Sequence, residues 1–165
     1  MKEHLVSLAA YNLWANKKIE NFVRTVSEEN GNLVQKSSFP TIKETIIHIW
    51  NAQAIWLDRL HNISVLTIPG KDFMGTTLGA AAMLVENSNI WMKMVDSLDE
   101  NKIHESVDYK NLNGDEFINT WAQIITHVMN HGTYHRGQLV TMLRGTGLTD
   151  LSSTDLTNFY REKAQ

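Results

Sequence analysis

The chain has 165 residues and a formal net charge of −3, from 15 Lys plus Arg against 18 Asp plus Glu. That length suits one domain, 1–165, able to bury a single core without covalent staples. Seven histidines and no cysteine exclude disulfides, thiolate zinc knuckles, cysteine-ligated iron–sulfur clusters and any cysteine nucleophile, while the mild acidity, with Lys17-Lys18 as the densest basic pair, argues against nucleic acid.

Residues 1–10 hold a short apolar run broken by Ser7 and preceded by Glu3 and His4, which is not the pattern of a secretory segment. No window approaches the ~20 apolar residues of a membrane span. The expectation is a soluble, cytoplasmic protein with no membrane partner.

A first helix is predicted over 2–28, where Leu8, Tyr11, Ala15, Ile19 and Phe22 recur every three or four residues and so share one face. A second opens after Pro40. Thr41 followed by Glu44 has the spacing of a capping box, and Thr45, His48, Ile49, Ala52, Ile55, Trp56 and Arg59 form one stripe that ends near Asn62. A third helix spans 77–98, with Leu84, Trp91, Val95 and Leu98 on its apolar side. Between 99 and 116 the period changes. Val107 and Tyr109 alternate with polar residues, and Asn113-Gly114 offers the positive φ angles of a tight turn, which predicts a small β-hairpin. A fourth helix starts at 117 or 120 and runs to Arg144, ended by Gly145. Ser153 is placed to cap a short final helix over 155–162. Four long amphipathic segments predict an all-α, antiparallel four-helix bundle with this hairpin before the fourth helix. The connections 63–76 and 99–116 are longer than an up-down hairpin needs, so each leaves room for a crossover and the helix order stays open.

The histidines carry the chemistry. His4, His61 and His104 lie near helix ends or in a polar loop and read as surface residues. His131 and His135 stand one turn apart on one face of the fourth helix, close enough to share an ion. His127 and His131 have the same spacing. His127 and His135 are two turns apart, about 12 Å, so one ion cannot use all three. The facing second helix carries His48 in mid-stripe, and helical bundles build metal sites from side chains on facing helices. Three neutral imidazoles suit zinc, nickel or ferrous iron, and leave a coordination position open as catalytic sites do. Gly132 follows His131, and no carboxylate lies between 120 and 144, so the zincin pattern with its glutamate base is missing. Tyr134 and Arg136 point about 100° to either side of His135, toward packing or a salt bridge with another helix. Gly132 and Gly137 each cost roughly 1 kcal/mol inside a helix, which suggests close approach of a neighbouring helix at both. Asn51, at the edge of the His48 face, can orient a ligand or serve as an ordinary polar position.

The run from His127 through His131, Tyr134, His135, Arg136 and Gln138 to Leu139 resembles the hallmark segment of the DinB/YfiT-like superfamily. The YNLWAN run of 11–16, the segment 38–60 with His48 and Trp56-Leu57, and the tail from Arg136 through Ser153 to Leu156 are similar to other parts of its pattern. The resemblance implies a four-helix bundle, a metal site with His48, His131 and His135 as ligands, His127 as a core or ligand-supporting residue, and a homodimer. It also implies a divalent-metal-dependent enzyme, since members include transferases that use bacillithiol-like, low-molecular-weight thiols. The leading expectation is therefore transfer of such a thiol to an electrophilic small molecule, with zinc or nickel, or iron, as the ion. No general acid or base is identified. The alternatives are a hydrolase using metal-bound hydroxide and a non-catalytic module that binds a metal or ligand.

Overall fold

The computed structural model describes residues 1–63 and 68–164, so part of the connection 63–76 lies outside the described residues. Helix α1 spans Lys2–Val23, a single turn α2 spans Glu28–Gly31, α3 spans Ile42–Leu60 and α4 spans Thr77–Ser97. A 3-10 turn at Lys102–His104 leads into strands β1 (Ser106–Lys110) and β2 (Glu116–Thr120), then α5 (Trp121–Gly145) and α6 (Leu156–Lys163). No described helix is long and apolar enough to cross a membrane.

The first helix stops short of its predicted end because Ser27 takes an extended backbone and its hydroxyl accepts the Asn30 N–H at 3.2 Å, starting the separate turn α2. Thr41 caps α3 as predicted, accepting the Glu44 N–H at 3.1 Å and donating to the Glu44 carboxylate at 3.0 Å. The hairpin is present and antiparallel, with Tyr109 opposite Phe117. Its connection differs from the predicted tight turn. Asn111 Oδ1 accepts the amides of Asn113 and Asp115 at 2.9 and 3.0 Å, and Gly114 alone takes a positive φ, +91°. Thr120 ends β2 and also caps α5 through a complete capping box with Gln123, which joins the hairpin directly to the helix carrying three histidines. Gly145 is the last helical residue, and Gly147, at φ +91°, makes the left-handed turn beyond it. Asp155, rather than Ser153, occupies the N-cap of α6, while Ser153 Oγ accepts the Asp155 amide at 3.1 Å.

In the bundle, α1 and α3 each pack against both α4 and α5. The cyclic order is therefore α1–α4–α3–α5, with α1 diagonal to α3 and α4 diagonal to α5. The long connection 98–120 is a diagonal crossing, whereas 61–76 joins neighbours. The other diagonal crossing is the one between α1 and α3. Helix α6 lies on α1, where Phe159 packs on Tyr11 and Trp14 at ring separations of 5.9 and 5.6 Å. Trp14 donates to Glu162 at 2.8 Å, so this part of α1 is covered by the chain itself.

The core has two apolar halves. One gathers Leu5, Trp91, Val95, Ile124 and Val128, and the other Ile19, Ile46, Leu84, Leu139 and Leu143. Between them lies a buried polar layer that touches all four long helices. Arg136 donates to Asn12 at 2.6 Å and to Asn16 at 3.1 Å; Asn16 donates to Ser88 at 2.8 Å, and Ser88 to Gln53 at 3.0 Å. Of the packing or salt bridge expected at Arg136, the structure shows packing, with amide oxygens of α1 as its partners and the guanidinium 5.2 Å from the Tyr11 ring centre. Charge-assisted bonds to fixed acceptors satisfy a buried cation without bringing a second charge out of water. This layer fixes the rotation of α5 about its axis, and with it the direction of His131 and His135.

Candidate metal centre

His48 on α3 and His131 and His135 on α5 converge, with one ring nitrogen from each lying within 4.8 Å of the other two. The Nε2 atoms of His48 and His131 are 3.0 Å apart. Two ligand nitrogens on a zinc-sized ion, at bonds of roughly 2.0–2.1 Å and a tetrahedral angle, lie about 3.3 Å apart, so this pair is spaced as ligands of one ion. His135 is buried, 5% exposed, and the other two rings are half-buried. The cluster holds no carboxylate.

The tautomer of His135 is set by its surroundings. Its Nδ1 lies 2.8 Å from Gln138 Oε1, and Gln138 Nε2 donates to Ser38 Oγ at 2.9 Å. With Gln138 oriented as an acceptor, Nδ1 carries the proton and Nε2 keeps its lone pair free for an ion. The same loop before α3 supplies Phe39, which stacks on His48 at 4.0 Å and meets His135 edge-on at 5.7 Å. Burial, with the neighbouring charge of His135 second, lowers the pKa of His48 to about 4. His131 is also lowered to about 4, by burial first and then by His135, His48 and His127. Both rings are therefore neutral at pH 7, the state in which imidazole binds a metal. Donor type, spacing and tautomer all fit a divalent transition ion, and nothing in the set favours magnesium or calcium, which take oxygen ligands.

The other histidines fall as follows. His4, His61 and His104 are exposed, as expected. His127 is not a core residue. It is exposed, with its ring 5.2 Å from Trp56 and 5.9 Å from His131. Asn51 lines the cleft beside His48, and its Oδ1 accepts the Gly70 amide at 2.7 Å, which ties Gly70 onto α3. Tyr134 is 63% exposed. A cleft of about 590 Å³ opens beside His48, walled by Phe39, Ile47 and Phe73, with Lys43 and Lys71 among its polar residues.

Gln138, Ser38 and Phe39 are supporting residues beyond the predicted ligand set. Gln138 follows His135 by three residues, so its place on the ligand face is a visible signal. Ser38 and Phe39 belong to a loop whose position depends on the whole fold.

Comparison with known proteins gives a family match over residues 1–163 to the DinB family. The chain is 24% identical over 165 residues to Protein DinB of Bacillus subtilis (strain 168), covering 89% of this chain and 88% of that one. Among solved structures it is similar to a DinB-like protein of Bacillus subtilis, YjoA, with a TM-score of 0.71 at 14% identity over 90% of this chain and 97% of that one. A DinB-like protein from Bacillus cereus ATCC 10987 gives a TM-score of 0.65 at 14% identity, over 84% and 89%. These structural likenesses speak for the helical fold. With the family match running over residues 1–163 and the fold agreeing, the chain belongs to the DinB family.

Proposed function

We propose that this protein is a divalent-metal-dependent transferase that joins a low-molecular-weight thiol to an electrophilic small molecule. The observation that carries the reading is a ligand set of three imidazoles and no carboxylate, beside an open cleft, in a chain without cysteine. Uncharged ligands leave an ion its full +2 charge, which supplies the Lewis acidity to hold a cosubstrate thiol as thiolate at neutral pH.

The chain's own groups do the rest. Gln138 holds the proton of His135 on Nδ1, and Phe39 keeps the His48 ring in one orientation. Ile47 and Phe73 give the cleft an apolar wall that limits water around the reacting atoms. No side chain has to act as nucleophile, since the sulfur arrives with the cosubstrate. A cleft of about 590 Å³ is of small-molecule size. A reducing cytoplasmic setting, where free thiols persist, belongs to the same reading.

The test is thioether formation by the zinc- or nickel-loaded protein from a low-molecular-weight thiol and an activated aryl halide, in which the carbon–sulfur bond replaces the carbon–halogen bond with release of halide and the thiol proton, followed by mass spectrometry. The expected rate exceeds background and disappears with a chelator or in His131→Ala. Ester or amide turnover independent of thiol would overturn the reading in favour of hydrolysis. Metal uptake with no turnover of either kind would overturn it in favour of a binding module.

A further inference from the structure

Arg59 lies eleven residues beyond His48 on α3 and on nearly the same face, about 16 Å along the axis. Its guanidinium lies against two touching rings, 4.5 Å from the centre of Trp56 and 5.1 Å from that of Tyr109 on the hairpin. Among the described residues no carboxylate lies within ion-pair distance of it, and its buried Nε–H finds no acceptor. Arg136, whose Nε is likewise without an acceptor, differs at its terminal nitrogens. That cation is enclosed by the fold, and side-chain oxygens of Asn12, Asn16 and Thr133 receive its terminal nitrogens. Arg59 is half-buried, and among the described residues its terminal nitrogens have no acceptor.

Arg59 lines a cavity of about 410 Å³ between the end of α3 and the hairpin. Two other charged residues line it. Lys110 is paired with Glu116 at 3.1 Å, and Asp108 is beyond ion-pair distance of Arg59. A row of rings leads from this cavity toward the metal centre, from Tyr109 to Trp56 at 4.9 Å, to His127 at 5.2 Å and to His131 at 5.9 Å. Stacking Arg59 on two aromatics is compatible with packing alone. Packing leaves the terminal nitrogens turned to the cavity, where no acceptor among the described residues receives them.

We propose that Arg59 anchors a carboxylate subsite, in which the guanidinium fork takes the carboxylate of a small molecule whose body lies in this cavity against Tyr109, on the hairpin side of the metal centre. The planar fork matches a carboxylate in two parallel hydrogen bonds, and the rings that hold it fix its plane in advance. This deepens the thiol-transfer reading by giving one of the two substrates a carboxylate. Binding is measured without turnover, so the two ideas fail separately.

The test uses the zinc-loaded full chain with benzoate as probe, benzamide as its uncharged isostere and inorganic phosphate as a second anion, followed by the arginine side-chain N–H signals in NMR. Benzoate is expected to bind saturably and shift the one signal that Arg59→Lys removes. Benzamide should bind at least about tenfold more weakly, as should benzoate to Arg59→Gln. Arg59→Lys, which keeps the cation, should weaken benzoate less, and the exposed control Arg24→Gln should leave it unchanged. Equal benzoate binding by wild type and Arg59→Gln overturns the proposal, as does its loss in His131→Ala alone, which would mark direct coordination. Absence of saturable benzoate binding also overturns it, and tighter binding of phosphate than of benzoate overturns the carboxylate assignment.

Discussion

Gly132 and Gly137 both lie inside α5, and by helix propensity alone replacing either with alanine gains roughly 1 kcal/mol. Their surroundings predict opposite signs. A Cβ on Gly132 would sit 2.9 Å from Arg136 Nη1 and 2.9 Å from Asn12 Oδ1, the two atoms of the 2.6 Å bond at the centre of the polar layer. Neither can yield, because Arg136 is 1% and Asn12 0% exposed. Losing one hydrogen bond to a buried charge costs about 1.5–3 kcal/mol. Less the propensity gain, Gly132→Ala should destabilise by about 0.5–2 kcal/mol. A Cβ on Gly137 meets nothing within 4 Å, so Gly137→Ala should stabilise by up to about 1 kcal/mol. Urea unfolding of the metal-free protein at pH 7 measures both, as midpoint shifts at unchanged slope. A Gly132→Ala protein more stable than wild type would refute the claim that this glycine is reserved for the Arg136–Asn12 bond. A destabilised Gly137→Ala would show that the open space beside α5 is not open.

Three further outcomes follow from the site. Gln138→Leu removes the acceptor for His135 Nδ1 and should weaken metal affinity by roughly 10–100-fold with helical content kept, as read by competition with a chromogenic chelator; unchanged affinity would contradict the tautomer assignment. The pKa values of His48 and His131 near 4 lie below the unfolded value of about 6.5, so between these limits the unfolded chain binds more protons. Stability of the metal-free protein should therefore hold above about pH 6.5 and fall as pH drops toward 4, and His131→Ala should flatten that fall in urea midpoints taken across the range. Thr120→Ala breaks the capping box that joins β2 to α5 and should cost about 1 kcal/mol, seen as a lower urea midpoint with the metal stoichiometry intact.

Much of this molecule is legible in its sequence where the signal is local. The four long helices follow from apolar spacing, the α3 start from Thr41 and Glu44, and the hairpin from the change of period at Val107 and Tyr109. What escapes a single sequence is rotation and order. His127, His131 and His135 are equivalent in spacing, yet His135 is buried and His127 exposed, because α5 is turned so that Arg136 meets Asn12 and Asn16 on α1. That contact spans 124 positions of sequence, and no local pattern contains it. The same holds for Gln53 and Ser88, which look like ordinary polar interruptions until four helices bring them into one layer. Gly132 and Gly137 are likewise indistinguishable by helical cost, and only the neighbour of each separates them. Ser27 shows a subtler limit, since a helical period continues past Val23 while a hydroxyl four residues later captures the chain into a new turn.

The proposed function requires His48, His131 and His135 to hold one divalent ion together. Elemental analysis of protein purified without affinity-tag metals, after incubation with zinc or nickel and removal of excess, tests it most directly. One ion per chain is predicted for the parent, with affinity lost in each of His48→Ala, His131→Ala and His135→Ala and retained in His127→Ala. Equal retention of the ion by the parent and by all three ligand variants would contradict the account.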